Sequence, residues 1–292
     1  MGRKIETVVG YVFIFPALIM VILFLIFPMA NNVYLSFFDW DGLRDKVFIG
    51  LNNYFKFFTD EIFLRSVLNT LVWVVFTICF TVTGGLLIAV FVNNIKGENF
   101  FKTIFFLPLS ISFVSTGAIW IYMYSKEYGV INELLRLIGF DSQIAWLFDR
   151  PLNTVSMMFA SSWQTLGAQM VLFLMGLTSL HKEPLEAASI DGANKWQTFI
   201  HMIFPALKPI TTVVVGLAIV NSFKTFDIIF VMTKGGPIRS SETLAVTMYI
   251  ETFQRTNMGY GASIAVLLSL IILPVSIVYI KSMIHTDSID YK

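Results

Sequence analysis

Five stretches of the 292-residue chain run without a charged residue: Val8 to Phe38, Ser66 to Ile95, Thr103 to Ser125, Pro151 to Leu180 and Met258 to Ile280. Each is close to, or longer than, the roughly 20 apolar residues a helix needs to cross a hydrocarbon core of about 30 Å. A sixth, Ile210 to Met232, carries two charges, Lys224 and Asp227. The pattern predicts an all-α integral membrane protein with six transmembrane helices and both termini on one side. The first stretch follows Arg3 and Lys4, as a signal peptide would, but it is too long and runs into Asn31-Asn32 in place of a small-residue cleavage site. It reads as a retained helix. Arg3 and Lys4 beside it put the N-terminus in the cytoplasm, while the Lys/Arg bias of the remaining loops is weak.

Composition agrees: 56% of residues are apolar and 13% charged, against about a quarter charged in a soluble domain, and mean hydropathy is +0.75. A soluble globule is excluded. The net charge of +1, with no Lys/Arg block, excludes a nucleic-acid partner. The longer polar segments, Asp39 to Arg65, Lys126 to Arg150 and Thr233 to Asn257, leave no room for a soluble catalytic domain. No GxxxxGK[ST] phosphate loop exists, so ATP is not hydrolysed here by that route. Cys79 is the only cysteine, and His181, His201 and His285 lack ligand-spaced partners. With no GxSxG or HExxH pattern either, no catalytic residue, metal site or cofactor is expected, and the chain does not read as an enzyme.

Ionisable groups inside a span are costly and face a bundle interior or a wet cavity. A spacing of three places Lys224 and Asp227 on one helical face, as a structural ion pair or as part of a solute path. Asn221, Ser222 and Thr225 lie on overlapping faces, and in the fourth span Ser161, Gln164, Thr165 and Gln169 do likewise, with Trp120 and Trp163 available to stack on a ring. Spans four and five therefore read as walls of a hydrophilic passage. Sugar hydroxyls suit neutral donors and acceptors, and the apolar faces of a pyranose suit aromatic rings. Pro16, Pro28, Gly84-Gly85, Pro108 and Pro274 punctuate the spans, which membrane helices tolerate.

Between spans four and five, Glu183 to Pro205 forms a short amphipathic segment broken once. Pro184 suits a first helical turn and Glu186 a helix N-terminus. Gly192 permits a sharp turn that a β-carbon would resist. Trp196, Phe199, Ile200 and Ile203 then recur at helical spacing, as in a second short helix held against the bundle.

The pattern EAA-xx-DGA-x5-F-x3-I-x-P, from Glu186 to Pro205, resembles the EAA loop of permease subunits of binding-protein-dependent ABC importers. Phe226-Asp227, Thr233, Gly235-Gly236-Pro237 and Thr243 are similar to the FD-x5-T-x-GGP segment of its carbohydrate-importer, MalF/UgpA-like branch. Tyr11 to Ala17, Phe27-Pro28 and Asn52 to Tyr54 fit the same branch. The resemblance implies a type I (MetI-like) transmembrane domain whose EAA segment is a cytoplasmic coupling helix, docked in a cleft of an ATPase subunit. The residues carried over to that role are Glu186, Ala187, Ala188, Asp191, Gly192 and Ala193. Ungapped counting puts the family's solute-contacting positions at Ser161, Gln164, Thr165, Ala168, Asn221, Ser222 and Thr225.

The resemblance further implies a first helix and loop at 1–65, a transporter core at 66–284 with the coupling loop at 181–205, and a cytoplasmic tail at 285–292. Its partners would be a second related permease, forming a heterodimer, two ABC ATPase subunits that use ATP and Mg, an extracytoplasmic solute-binding protein, a sugar and membrane lipid. The chain itself would bind no cofactor. The location would be a bacterial or archaeal cytoplasmic membrane, with both termini cytoplasmic. Rival readings are the same machine carrying glycerol-3-phosphate or another polar solute, an ion-coupled secondary carrier, and, last, a membrane enzyme.

Overall fold

The structure, a computed structural model, describes residues 2–93, 95–140 and 143–287. The tail expected at 285–292 lies outside these residues from Ser288 onward.

Helices form on the uncharged stretches, and Pro16, Pro28 and Pro274 lie inside them without ending them. The first apolar helix, α1 (Phe13–Leu35), passes through a π turn at Ile22–Ile26 without losing its path, and α2 (Glu61–Val92) contains another at Thr77–Val82. The third span, expected to be continuous, is two helices, α3 (Glu98–Ser110) and α4 (Phe113–Met123), set at 100°. Pro108 lies in the tightened last turn of α3, and Ser112 caps α4 by accepting a hydrogen bond from the Ser115 amide. A short helix α5 (Val130–Leu137) precedes α6 (Leu152–Thr178). Then follow α7 (Lys182–Ile190), α8 (Lys195–Ala206) and α9 (Lys208–Phe223), the last two bent by 68°. The fifth span stops at Phe223, and α10 (Asp227–Thr233) and α11 (Leu244–Tyr249) come before α12 (Met258–Asp287). Phe38–Asp39 and Val47–Phe48 form an antiparallel hairpin pairing Phe38 with Phe48.

Among the described residues three helices are long and apolar enough to cross a bilayer unaided, α1, α2 and Met258–Lys281 of α12, and the two bent pairs bring the number to five. The fourth span is helical over 27 residues as expected, yet it is not among them. Asn153, Ser156, Ser162, Gln164 and Gln169 are buried along it, so its polar groups are solvated by other helices.

The chain divides into two compact units. In the first, Met1–Glu61 with Thr247–Ser269, the apolar window of α1 has no buried residue. The following loop is tied down by Asn53, whose side-chain amide donates to the Ser36 and Phe38 carbonyls at 2.9 and 3.0 Å, and by Tyr260, which donates to Asp60 at 2.9 Å. In the hairpin loop the amides of Arg44 and Leu43 donate to the Asp41 carboxylate and hold its pKa below the usual range.

In the second unit, Ile62–Val246 with Leu270–Lys292, α6 is the axis. Its buried Met170, Phe173 and Leu174 pack with Val82, Leu86 and Ala89 of α2 and Val214 and Ala218 of α9. The segment after α10 is closed by buried polar contacts. Asn69 donates to the Ser240 and Glu242 carbonyls, both at 2.8 Å, and Asn153 to the Gly236 carbonyl at 3.1 Å. Arg239 pairs in fork geometry with the fully buried Glu242.

Helix α3 crosses α6 at Gly167, where a β-carbon would stand 1.9 Å from the Phe105 carbonyl oxygen. Gly167→Ala is therefore expected to cost about 1–3 kcal/mol through overpacking, seen as a lower melting temperature of the detergent-purified chain. An unchanged temperature would mean that α3 can retreat from α6.

Candidate functional site

The breaks in α3–α4 and α9–α10 open the bundle interior. A cavity of about 290 Å³ lies between α2, the start of α4, α6, α9 and the start of α10. Five sequence-derived path positions line it: Ser161, Thr165, Asn221, Ser222 and Thr225. Gln169, Lys224 and Asp227, also singled out in the sequence, join them. Gln164 and Ala168 stand outside the lining. Gln164 is buried and donates its amide to the Ile111 carbonyl, satisfying backbone freed at the α3–α4 break. Trp120 and Trp163 pack edge to face, with ring centroids 6.0 Å apart, also outside the cavity. The rings that do border it are Trp73, Phe113 and Phe226.

Trp73, Thr77, Thr81 and Phe113 line the cavity from spans two and three, which the reading of spans four and five did not reach, and Ser162 of span four joins them without having been singled out. The second span nevertheless carried a signal: Ser66, Thr70, Trp73, Thr77 and Thr81 recur at intervals of four, three, four and four, one helical face. Thr81 and Ser162 share a 2.6 Å hydrogen bond, and the Ser222 hydroxyl reaches both Thr77 and the Ala218 carbonyl.

The polar part of the wall offers both donors, on Asn221, Gln169 and Lys224, and acceptors. Thr165 and Thr225 donate to the carbonyls of Ser161 and Asn221, four residues back, so their lone pairs face the space. Asn221 is exposed, and among the described residues its amide has no side-chain hydrogen bond. The expected pairing of Lys224 with Asp227 is not formed, because helical spacing does not hold across them. Lys224 ends α9, Phe226 leaves helical geometry (φ −131°), and Asp227 opens α10. Both charges border the cavity separately. The GGP segment is anchored to the same wall, since Thr243 donates to the Thr225 carbonyl at 2.7 Å and the Leu244 amide to Thr70 at 2.9 Å.

At the far end of α6 the EAA segment forms a helix, a turn and a helix. Helix α7 closes in a Schellman motif: the Ala193 amide donates to the Ala188 carbonyl and the Gly192 amide to the Ser189 carbonyl. Gly192 takes the left-handed conformation this needs, φ +85°. Asn194 immediately starts α8 with a reciprocal capping box to Gln197, both bonds 2.9 Å. Glu186, Ala187, Asp191 and Gly192 are exposed, with Ala188 and Ala193 half-buried. Of the four apolar residues expected to seat α8, Phe199 and Ile203 pack on the bundle core, whereas Trp196 and Ile200 face outward, Trp196 with 68% of its surface exposed.

Residues 81–282 match the family described as binding-protein-dependent transport system inner membrane component. The chain is 35% identical over 279 residues to a probable ABC transporter permease of Bacillus subtilis, YurN, covering 94% of this chain and 95% of that one. It is 34% identical over 279 residues to the multiple sugar-binding transport system permease MsmF of Streptococcus mutans, covering 93% and 94%. A chain of a bacterial ABC transporter that imports alginate superposes with a TM-score of 0.83 over 95% of this chain and 96% of that one, at 20% identity. That alginate transporter has also been solved with its periplasmic protein bound to an alginate pentasaccharide. Its fold is thus the type I importer fold that the broken spans and the exposed helix-turn-helix describe. The chain belongs to the binding-protein-dependent transport system inner membrane components, the non-enzymatic permease subunits of ABC importers.

Proposed function

We propose that the chain forms half of the pore of a sugar importer, most simply for an oligosaccharide. The observation that carries this reading is the cavity lined by hydroxyls and amides and bordered by Trp73, Phe113 and Phe226. A polyol can donate its hydroxyls to the Ser161, Thr165 and Thr225 oxygens, take hydrogen bonds from Asn221 and lay its apolar faces on rings. A glycerol-3-phosphate dianion fits less well, because Asp227 opposes the single cation Lys224 on the same wall. MsmF supports sugar as cargo by its described substrate.

The rest of the machine follows from this reading. A second, related permease completes the pore, two ATPase subunits power it, and an extracytoplasmic binding protein delivers the solute. Residues Glu186 to Ala193 contact the ATPase from the cytoplasm, so both termini are cytoplasmic. The chain divides by role into 1–65, a core at 66–284 with the loop at 181–205, and a tail at 285–292. Closure of the ATPases moves α7, and α6 joins that motion to the cavity wall.

Affinity purification of the tagged chain in mild detergent is expected to recover an ATPase, a second permease and a binding protein, whose bound ligand is a saccharide. Recovery of the chain alone, where a known ABC complex survives the same detergent, would sink the importer assignment, and a phosphorylated ligand would sink the sugar. The Gly192 position has open space around it, so Gly192→Val disturbs the turn without a clash. It should abolish uptake with membrane insertion unchanged; normal uptake would remove the turn from coupling. Asn221→Leu should lower uptake about tenfold, the equivalent of one or two hydrogen bonds of about 1 kcal/mol each. Full uptake would put the solute path elsewhere.

A further inference from the structure

A second recess has the opposite chemistry. A groove of about 750 Å³ between α9 and residues 274–279 of α12 is lined by Val215, Ile219, Val275, Val278 and Tyr279, with Phe204 at one end. It shares no lining residue with the polar cavity. Lys208 sits at the Phe204 end and is exposed, and among the described residues no carboxylate pairs with it. Nearly one turn further in, the Thr211 hydroxyl is buried and has no hydrogen-bond partner. From Lys208 to Ile219 the groove runs along one continuous helix for about 16 Å at 1.5 Å per residue.

We propose that this groove binds one anionic phospholipid of the leaflet on the α7 side, its phosphate on Lys208, an ester oxygen on Thr211 and an acyl chain against Val215 and Val275. Length selects a lipid over a helix of a partner chain. Half of a hydrocarbon core is roughly 15 Å, the run of the groove, whereas a spanning helix needs roughly twice that. Chemistry selects a lipid over a solute, since beyond Thr211 and Thr212 the lining is valine, isoleucine, proline and glycine, with Tyr279 its one polar side chain. Sign selects an anionic headgroup, because basic recesses between membrane helices attract acidic lipids. Neither the cargo nor the ATPase enters this argument, so it stands or falls separately from the importer reading.

The test uses the purified complex in nanodiscs of mixed phosphatidylglycerol and phosphatidylcholine, with trace lipid of either headgroup carrying a diazirine on its acyl chain. After illumination, peptides holding residues 208–219 and 274–279 should carry the phosphatidylglycerol probe in preference to the phosphatidylcholine probe. Lys208→Gln should reduce that preference about fivefold, as loss of one basic contact near a membrane surface implies. Val215→Trp, which fills the groove, should remove labelling by both probes; if that variant fails to assemble, Lys208→Gln decides alone. Equal labelling by both headgroups, a preference unchanged in Lys208→Gln, or absence of label from these peptides would overturn the proposal. So would a cross-link from position 215 to another polypeptide.

Discussion

A backbone that breaks inside a bilayer frees carbonyl and amide groups that hydrocarbon cannot solvate, at several kcal/mol each if they are left unpaired. The architecture of the larger unit turns on how those groups are satisfied. Gln164 takes up the Ile111 carbonyl at the α3–α4 break, and Asn69 and Asn153 take up three carbonyls of the segment after α10. Thr70 and Thr243 close the remaining gap between that segment, α2 and the end of α9. Because α2 and α6 supply these side chains, the breaks persist, and because the breaks persist there is a cavity at the centre of the bundle.

Helix α6 connects the two ends of this arrangement. Asn153 in its first turn holds the loop after α10, its middle lines the cavity with Ser161, Thr165 and Gln169, and its last turn leads within four residues into α7. At about 1.5 Å per residue it is about 40 Å of continuous helix. Close packing against α2 and α3 makes it a stiff member between α7 and the cavity. The turn beyond α7 is stiff for another reason. The Schellman stop and the capping box that follows it satisfy the amides of Gly192, Ala193, Asn194 and Gln197 locally, while Phe199 and Ile203 seat α8 on the bundle core.

The two recesses show one helix, α9, solvating unlike materials along its length. Toward Phe223 it presents the Asn221 amide, free to donate or accept, and the Ser222 hydroxyl, whose proton goes to Thr77 or the Ala218 carbonyl. Toward Lys208 it presents valine and isoleucine with a cation at the boundary. The same 16 residues thus border a polar cavity at one end and an apolar groove at the other.

The sequence by itself determined the membrane class, the places of the apolar helices and the helix-turn-helix of Glu186 to Pro205, because these rest on local chemistry: runs of apolar residues, a glycine that allows positive φ, and apolar residues at helical spacing after it. It also determined most of the polar positions on spans four and five. The tertiary structure alone decided that the third and fifth spans are broken, that Lys224 and Asp227 do not pair, and that Gln164 serves backbone while Thr77 and Thr81 serve the cavity. Those outcomes depend on what lies across from each residue. A polar side chain inside a membrane helix has the same local signature whether it faces a solute, a broken backbone or another helix, and only the packing of α2, α4, α6 and α9 distinguishes them.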